Sequence, residues 1–215
     1  ENLEITSKSY LSLSDLADLG TVMENVYHTK EEMIDCVNAF YEGMVQRSEE
    51  MKRHPNYKTG ENYAYLGLPP CFLIFDEYVA FFEILGTKES VGLLSQLKKI
   101  VMLGRQAGYF LIVACQRPDA KYFSDGIRDN FNFRVGLGRI SELGYGMLFG
   151  SDVKKQFFQK RIKGRGYCDV GTSVISEFYT PLVPKGHDFL QTIGSLAQAR
   201  QDGTATCEAK GDGTD

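Results

Sequence analysis

The chain has 215 residues, of which 43% are hydrophobic and 24% charged, and its formal net charge is −4. This length and composition are typical of a globular protein with a substantial core. The acidic balance argues against nucleic-acid binding through overall charge, although a local basic surface stays compatible with it. No stretch is apolar over the length of a membrane-spanning helix and no signal-peptide pattern opens the sequence, so we expect a cytoplasmic location.

The first part of the chain predicts a loop followed by one long helix. Residues 1–20 are polar and weakly patterned, which favours a loop that enters a short helical turn. Thr29 followed by acidic residues is typical of a capped helix start. Apolar side chains then recur at helical spacing until His54 and Pro55 end the pattern. These apolar side chains are Met33, Val37, Phe40, Met44 and Val45.

Two short apolar runs predict neighbouring strands of a parallel sheet. The runs, Cys71 to Phe75 and Tyr109 to Cys115, are rich in Ile, Val and Phe and barely alternate in polarity. Strands buried on both faces have this composition. A helical pattern over residues 90–103 lies between them and supplies the crossover that parallel strands need.

Polar side chains follow both runs. Asp76 and Glu77 come directly after the first, and Gln116 and Arg117 directly after the second. Ligands bind at the carboxyl ends of the strands in such sheets. We therefore expect both polar pairs to share one edge of the sheet, at a nucleotide-type active site.

The second half of the chain predicts shorter elements and a hairpin around Gly171 and Thr172. In chain order we expect a helical turn over residues 125–130, a strand over 131–137, a helix from Ser141 to Gly150, a helix capped by Asp152, hairpin strands over 167–170 and 174–178, and a last helix over 186–199. We expect residues 1–199 to form one α/β domain and residues 200–215 to form a polar, disordered tail.

The acid pair after an apolar strand matches the Walker B arrangement of nucleotide-hydrolysing enzymes. Asp76 would hold Mg²⁺ through water, since hard cations prefer carboxylate and water oxygens. Glu77 would orient the attacking water, and Gln116 could hydrogen-bond that water and the γ-phosphate. The alternative is two solvated acids at the end of a strand, and Gln-Arg-Pro after the next strand favours the active site.

The stretches LIFDEYVAFF, GRQAGYFLIVACQRPD and IRDNFNFRVGLGRIS, in this order and spacing, resemble the motor domain of the FtsK/SpoIIIE family of DNA translocases. Within the family, NYAYLGLPPCFLIFDEY, RQAGYFLIVACQRPDAKYF and KGRGY are most similar to the coupling proteins of integrative conjugative elements. The resemblance extends over residues 14–190.

The resemblance implies a RecA-like P-loop NTPase core, in which helices flank a largely parallel sheet, with a small C-terminal β-hairpin. It implies a hexameric ring that moves double-stranded DNA with ATP and Mg²⁺, in contact with a relaxase or other conjugation machinery. An upstream membrane anchor in the parent protein is compatible with the family, while this part of the chain would make no membrane contact.

The resemblance also assigns roles to residues. It makes Asp76 the Mg²⁺ residue, Glu77 the catalytic residue, Gln116 the sensor that contacts ATP, and Arg105 a finger that reaches the nucleotide of the adjacent subunit. A permanently charged, planar guanidinium suits the transition state of phosphoryl transfer. Without the family, Arg105 would be interpreted as a helix-terminal arginine that complements the helix dipole. The secondary candidates, which fit a fold-stabilising role better, are Arg117, Arg128 and Arg134.

The sequence departs from the family in two places. It contains no GxxxxGK[ST] phosphate loop, which in the family lies upstream, so we expect a piece of the motor that does not hydrolyse ATP alone. Where the family has a further acid after the Walker B pair, this chain has Ala80, Phe81 and Phe82.

A basic cluster is the candidate DNA contact, with residues 119–129 as a second candidate. Its alternative is an amphipathic helix with a solvated basic face. The cluster consists of Lys154, Lys155, Lys160, Arg161, Lys163 and Arg165.

Three functional classes remain open on the sequence alone. We expect a DNA translocase or conjugative coupling protein. A related ring ATPase that moves protein in a secretion system, and a ring subunit that does not hydrolyse ATP, are the alternatives. The histidines His28, His54 and His187 share no metal-ligand spacing.

Overall fold

The structure, a computed structural model, describes residues 2–6, 25–118, 120–123, 125–150, 162, 164–172 and 174–201. Residues 7–20, which include most of the predicted loop and helical turn, the helix predicted after Asp152, and residues 202–215 of the predicted tail lie outside these ranges.

A long helix, α1 (Lys30–Arg53), opens the continuous part of the fold. Thr29 caps it as predicted: the Glu32 N–H donates to Thr29 Oγ1 at 3.3 Å, and the Thr29 N–H donates to Glu32 Oε2 at 3.1 Å. This reciprocal pair satisfies two donors that a helix start otherwise leaves open. The helix ends at Arg53, with His54 as its C-cap before Pro55, also as predicted. Of the predicted apolar stripe, Met33, Val37, Phe40 and Met44 are buried and Val45 is exposed.

Four parallel strands form the main sheet in the order β2-β1-β3-β4. They are β1 (Asn2–Thr6), β2 (Val26–Tyr27), β3 (Cys71–Phe75) and β4 (Tyr109–Val113). The prediction of β3 is confirmed residue for residue, and β4 ends two residues earlier than predicted.

The prediction of a loop over residues 1–20 is wrong for residues 2–6, which form β1. Residues 2–6 form a strand that pairs with β3 along its whole length and with β2 on its other side. Five residues give too short a pattern to identify a strand, and the partner that makes this one a strand lies far along the chain. Tertiary pairing therefore decides the structure of this segment.

Three helices flank the sheet and bury its apolar side chains. After α1, the short α2 (Tyr78–Glu83) follows β3 directly, and α3 (Thr87–Ala107) leads into β4. The sequence analysis missed α2 and gave α3 as residues 90–103, which is shorter than the helix at both ends. The core includes Leu73, Phe75 and Leu97, each with no exposed area.

A second, antiparallel sheet has the order β5-β6-β7, with β5 (Arg134–Leu137), β6 (Arg165–Asp169) and β7 (Ile175–Tyr179). The predicted hairpin is confirmed, with bounds shifted by one or two residues. The predicted strand over 131–137 is shorter and pairs with β6. The helices of this half are α4 (Asp125–Arg128), α5 (Glu142–Phe149) and α6 (Phe189–Gln201). Ser141 caps α5 as predicted.

A search of the described residues for a helix long and apolar enough to cross a membrane finds none.

Two glycines of α3 provide a matched test of how closely this helix packs on the sheet. A Cβ at Gly104 would lie 2.2 Å from the carbonyl oxygen of Tyr109, whereas a Cβ at Gly92 meets nothing within 4 Å. We expect Gly104→Ala to lower the free energy of unfolding by about 2 kcal/mol or more, because the backbone of β4 must shift. Gly92→Ala should raise it by about 0.5–1 kcal/mol through helix propensity. Urea unfolding of both variants measures this, and effects of the same sign would contradict the packing.

Candidate active site

In-register pairing of β3 with β4 brings the residues that follow the two strands together. Phe75 is paired with Val113, the last residues of their strands. The pairing continues one step further, since the Ala114 N–H donates to the Phe75 carbonyl at 2.9 Å and the Tyr78 N–H donates to the Ala114 carbonyl at 3.1 Å. Asp76, Glu77 and Gln116 therefore lie at the same edge of the sheet.

Glu77 sits at a sharp bend between β3 and α2. Its backbone is left-handed, with φ 50° and ψ 40°, and it is the sole non-glycine residue with positive φ in the described part of the chain. Its N–H donates to Asp76 Oδ1 at 3.0 Å, which orients the neighbouring carboxylate. A left-handed non-glycine residue costs about 1–3 kcal/mol and persists where the surroundings impose it, often at active sites.

The structure brings Gln116 and Glu77 into contact. Gln116 Nε2 donates to Glu77 Oε1 at 3.2 Å, across 39 positions of sequence. Glu77 is half-buried and Gln116 is exposed, so the pair faces outward from the sheet edge. A carboxylate held by a neutral amide, beside a second carboxylate, can orient a water molecule and leave an oxygen for a cation. The catalytic roles of these residues stay predictions.

Two neighbours of this pair were missed by the sequence analysis. Tyr78, 1% exposed, follows Glu77, and Cys115 precedes Gln116. Burial, and secondly the charge of Glu77, raise the pKa of the Cys115 thiol to about 11. The thiol is therefore mostly neutral near pH 7 and a poor nucleophile. In the sequence, only their position next to Glu77 and Gln116 pointed to these two residues.

Arg105 lies away from Glu77 in the same chain. It is an exposed residue in the last turn of α3, two residues before the helix end that leads into β4. It lies inside the helix, which continues four residues beyond the predicted end at residue 103. This is the amino end of β4, so the length of the strand, roughly 16 Å, separates it from the edge that carries Gln116.

The three secondary arginine candidates, Arg134, Arg128 and Arg117, differ in what they contact. Arg134 donates from Nε to the Phe131 carbonyl at 2.8 Å and from Nη1 to the Leu148 carbonyl at 3.2 Å, contacts that stabilise the fold. Arg128 Nε lies 3.5 Å from Asp129 Oδ1. Arg117 is exposed beside Gln116.

Arg165 is the single member of the predicted DNA-contact cluster that lies within the described residues. Its guanidinium carbon lies over the ring of Tyr179, 4.8 Å from the centroid. Lys154, Lys155, Lys160, Arg161 and Lys163 lie outside the described residues.

No group of three or more His, Cys, Asp or Glu side chains that could hold a metal ion occurs among the described residues. Mg²⁺ bound with a nucleotide needs one or two carboxylates, because phosphate and water complete its coordination. The oxygens of Asp76 fit that requirement.

A cleft of about 510 Å³ opens beside Gln116, between the end of β4 and the antiparallel sheet. In the described part of the chain, β4 and β5 are the edge strands of their sheets, and both contribute to the walls. Apolar and arginine side chains line most of it. They include Val113, Phe131, Val135, Leu148, Arg128 and Arg139.

Comparison with curated proteins identifies a relative by sequence. The chain is 53% identical over 203 residues to the FtsK domain-containing protein YdcQ of Bacillus subtilis (strain 168). The match covers 94% of this chain and 42% of YdcQ, so the chain spans less than half the length of this relative. No family model matches the chain.

Two solved structures share the fold. The pCW3 conjugation coupling protein TcpA, in a monomer form with ATPγS, matches with a TM-score of 0.65 at 17% identity, over 91% of this chain and 56% of TcpA. The cytoplasmic domain of the type VII secretion ATPase EccC of Thermomonospora curvata matches with a TM-score of 0.59 at 17% identity, over 91% of this chain and 24% of EccC. The predicted family resemblance and the predicted P-loop ATPase fold are both confirmed.

The raised pKa of Cys115 predicts slow alkylation. Below about pH 8 its thiolate fraction should be about a hundredfold lower than that of a cysteine with a pKa of 9.0. Glu77→Gln removes a negative charge, so it should lower the pKa of Cys115 and speed the reaction, while Glu83→Gln should not. Iodoacetamide labelling at a series of pH values, with mass spectrometry of the Cys115 peptide, measures both. Half-maximal labelling near pH 9 in the unaltered chain would contradict the prediction.

The same shift has a stability consequence. The pKa of the Cys115 thiol is higher in the folded chain than in the unfolded chain. Its contribution to the free energy of unfolding is therefore complete below about pH 9 and is lost as the pH rises to about 11.

Proposed function

We propose that this chain, which belongs to the FtsK/SpoIIIE class of P-loop ATPases, is the Walker B part of an ATP-driven motor that moves double-stranded DNA in conjugative transfer. The observation that carries the proposal is the hydrogen bond from Gln116 Nε2 to Glu77 Oε1, 3.2 Å long, at the strand-end edge beside Asp76. A hydrolytic water needs an acceptor of fixed orientation, and this contact supplies one.

Glu77 and Gln116 have distinct tasks in this mechanism. Glu77 orients the attacking water and accepts its proton, with the carboxylate held in place by the imposed backbone bend. Gln116 hydrogen-bonds that carboxylate and would contact the terminal phosphate of bound ATP. Asp76 would hold Mg²⁺, which when bound with ATP neutralises the charge of the phosphates.

The phosphate loop has to come from outside these 215 residues, because the sequence contains no GxxxxGK[ST] motif. Such a loop joins a strand to a helix. A strand added parallel to β4 on its outer side would end beside Gln116, next to the cleft, and would bring the loop to the edge that carries Asp76 and Glu77. The open edge of β4 would then be paired.

Arg105 would act on the site of another subunit. Its place at the opposite end of β4 separates it from the Glu77 of its own chain, and two apolar side chains of the same part of α3, Met102 and Leu103, are each more than half exposed. An exposed apolar surface beside a permanent cation suits a contact between subunits. A ring of identical subunits, such as a hexamer, provides that contact at every interface.

DNA is the proposed cargo, with protein as the alternative. The resemblance of KYFSDGIRDN and KGRGY to the coupling proteins of integrative conjugative elements favours DNA. TcpA is named a conjugation coupling protein and EccC a secretion ATPase, so the fold alone is shared by both kinds of machine. A relaxase or other conjugation protein would be the partner that presents the DNA.

The first test uses a longer polypeptide of the parent protein that includes its phosphate loop. We expect ATP hydrolysis that rises when double-stranded DNA is added. Glu77→Gln should lower kcat by about a hundredfold or more, because the acceptor for the water proton is lost. Glu83→Gln, which neutralises an exposed acid at the far end of α2, should leave kcat unchanged. A hydrolysis rate that does not change when DNA is added would favour a protein cargo instead. Hydrolysis retained by Glu77→Gln would show that Glu77 has no catalytic role.

A second test addresses Arg105. In the same polypeptide Arg105→Ala should lower kcat by about 10³-fold if the guanidinium stabilises phosphoryl transfer. Lys98→Ala removes an exposed cation two turns earlier in α3 and is the control.

The trans action of Arg105 is tested by mixing. Co-expression of Arg105→Ala with Glu77→Gln should restore activity, since roughly a quarter of the interfaces then pair an intact Glu77 with an intact Arg105. Mixed assemblies as inactive as either variant would exclude a role across the interface.

A further inference from the structure

Tyr78 holds both ends of the loop that carries Gln116. Its backbone N–H donates to the Ala114 carbonyl at 3.1 Å, and its hydroxyl donates to the Tyr122 carbonyl at 3.2 Å. Ala114 precedes Gln116 by two residues and Tyr122 follows it by six. A single residue, next to Glu77 in the chain, therefore fixes the entry and the exit of this loop.

The hydroxyl bond is buried in an aromatic cluster, which we define as Tyr78, Phe82, Tyr122 and Phe123. The Tyr78 ring lies 4.8 Å from the rings of both Phe82 and Phe123, and the Phe82 ring lies 5.6 Å from that of Tyr122. Tyr78 is 1% exposed and Tyr122 is 3% exposed. Water cannot readily replace a bond in such a place, so its loss leaves a buried carbonyl without its donor.

The position of Gln116 depends on its loop because the side chain itself is exposed and contributes little packing. Its amide meets Glu77 at 3.2 Å, a separation that a shift of the loop by about 1 Å would break. Tyr78 is the first residue of α2 and follows Glu77 directly in the chain. Its two hydrogen bonds therefore tie that loop to the turn that carries Glu77. The positions of both Glu77 and Gln116 thus depend on one buried residue, Tyr78.

We propose that Tyr78 is a positioning residue for hydrolysis, whose hydroxyl keeps the Gln116 amide on the Glu77 carboxylate through the Tyr122 carbonyl. The inference rests on the proposed function, since it names a further residue of the same site. A purely structural Tyr78 would stabilise the aromatic cluster without affecting the Glu77–Gln116 contact, and the experiments separate the two roles.

The first experiment needs no nucleotide. Backbone hydrogen exchange is measured on the complete 215-residue chain with Tyr78→Phe and, as a matched control, Tyr122→Phe. Tyr122→Phe also removes a buried tyrosine hydroxyl from the cluster, one that accepts from Lys121 Nζ, but keeps the carbonyl that Tyr78 uses. We expect exchange of the amides of Gln116, Arg117 and Ala120 to rise about fivefold in Tyr78→Phe, the effect of losing one hydrogen bond, and to stay unchanged in Tyr122→Phe. Unchanged exchange in Tyr78→Phe, or an equal rise in both variants, would overturn the proposal.

The second experiment is a double-mutant cycle in the longer polypeptide. Tyr78→Phe should lower kcat for ATP several-fold with KM unchanged, and should cause no further loss when combined with Gln116→Ala. The same fractional loss with and without Gln116 would show that Tyr78 does not act through Gln116 and would overturn the proposal. If the unaltered longer polypeptide hydrolyses no ATP, the proposed function fails, and the exchange experiment then decides only whether Tyr78 holds the loop that carries Gln116.

Discussion

The in-register parallel pairing of β3 with β4 is the constraint on which the rest of the structure depends. Because the two strands end together, at Phe75 and Val113, everything that follows either strand meets at one edge. The crossover through α3 makes this parallel arrangement possible, and Gly104 lets the helix lie close to the start of β4. Parallel pairing therefore sets which side chains can meet before any site chemistry is considered.

The strained turn at Glu77 is stabilised by the interactions on either side of it. Its left-handed backbone is unfavourable for a residue with a side chain, yet Asp76 accepts its N–H and the next residue, Tyr78, is anchored to the neighbouring strand and packed in the core. Local backbone cost is offset by hydrogen bonding and burial nearby. The rigidity of this turn gives the carboxylate a defined direction, which a flexible loop would not.

The cleft between the two sheets and the surface of α3 both expose groups that proteins usually cover. Strand edges carry backbone donors and acceptors that need partners, and the apolar side chains near Arg105 remain in contact with water. Under the proposed function, a strand that carries the phosphate loop would cover the first and a neighbouring subunit would cover the second.

The sequence by itself determined the elements whose signal is local. The cap at Thr29, the buried run Cys71–Phe75 and the helix start at Ser141 each follow from adjacent residues, and the same kind of reading identified the acid pair as the candidate site. Only the tertiary structure decided the strand Asn2–Thr6, because its pairing partner is far along the chain.

Tertiary structure also decided the contacts that define the site. These are the hydrogen bond between Gln116 and Glu77, the left-handed turn, the bond from Tyr78 to Tyr122, and the separation of Arg105 from them. Each depends on the distance between groups remote in sequence or on a backbone angle imposed by packing, and local residue patterns encode neither.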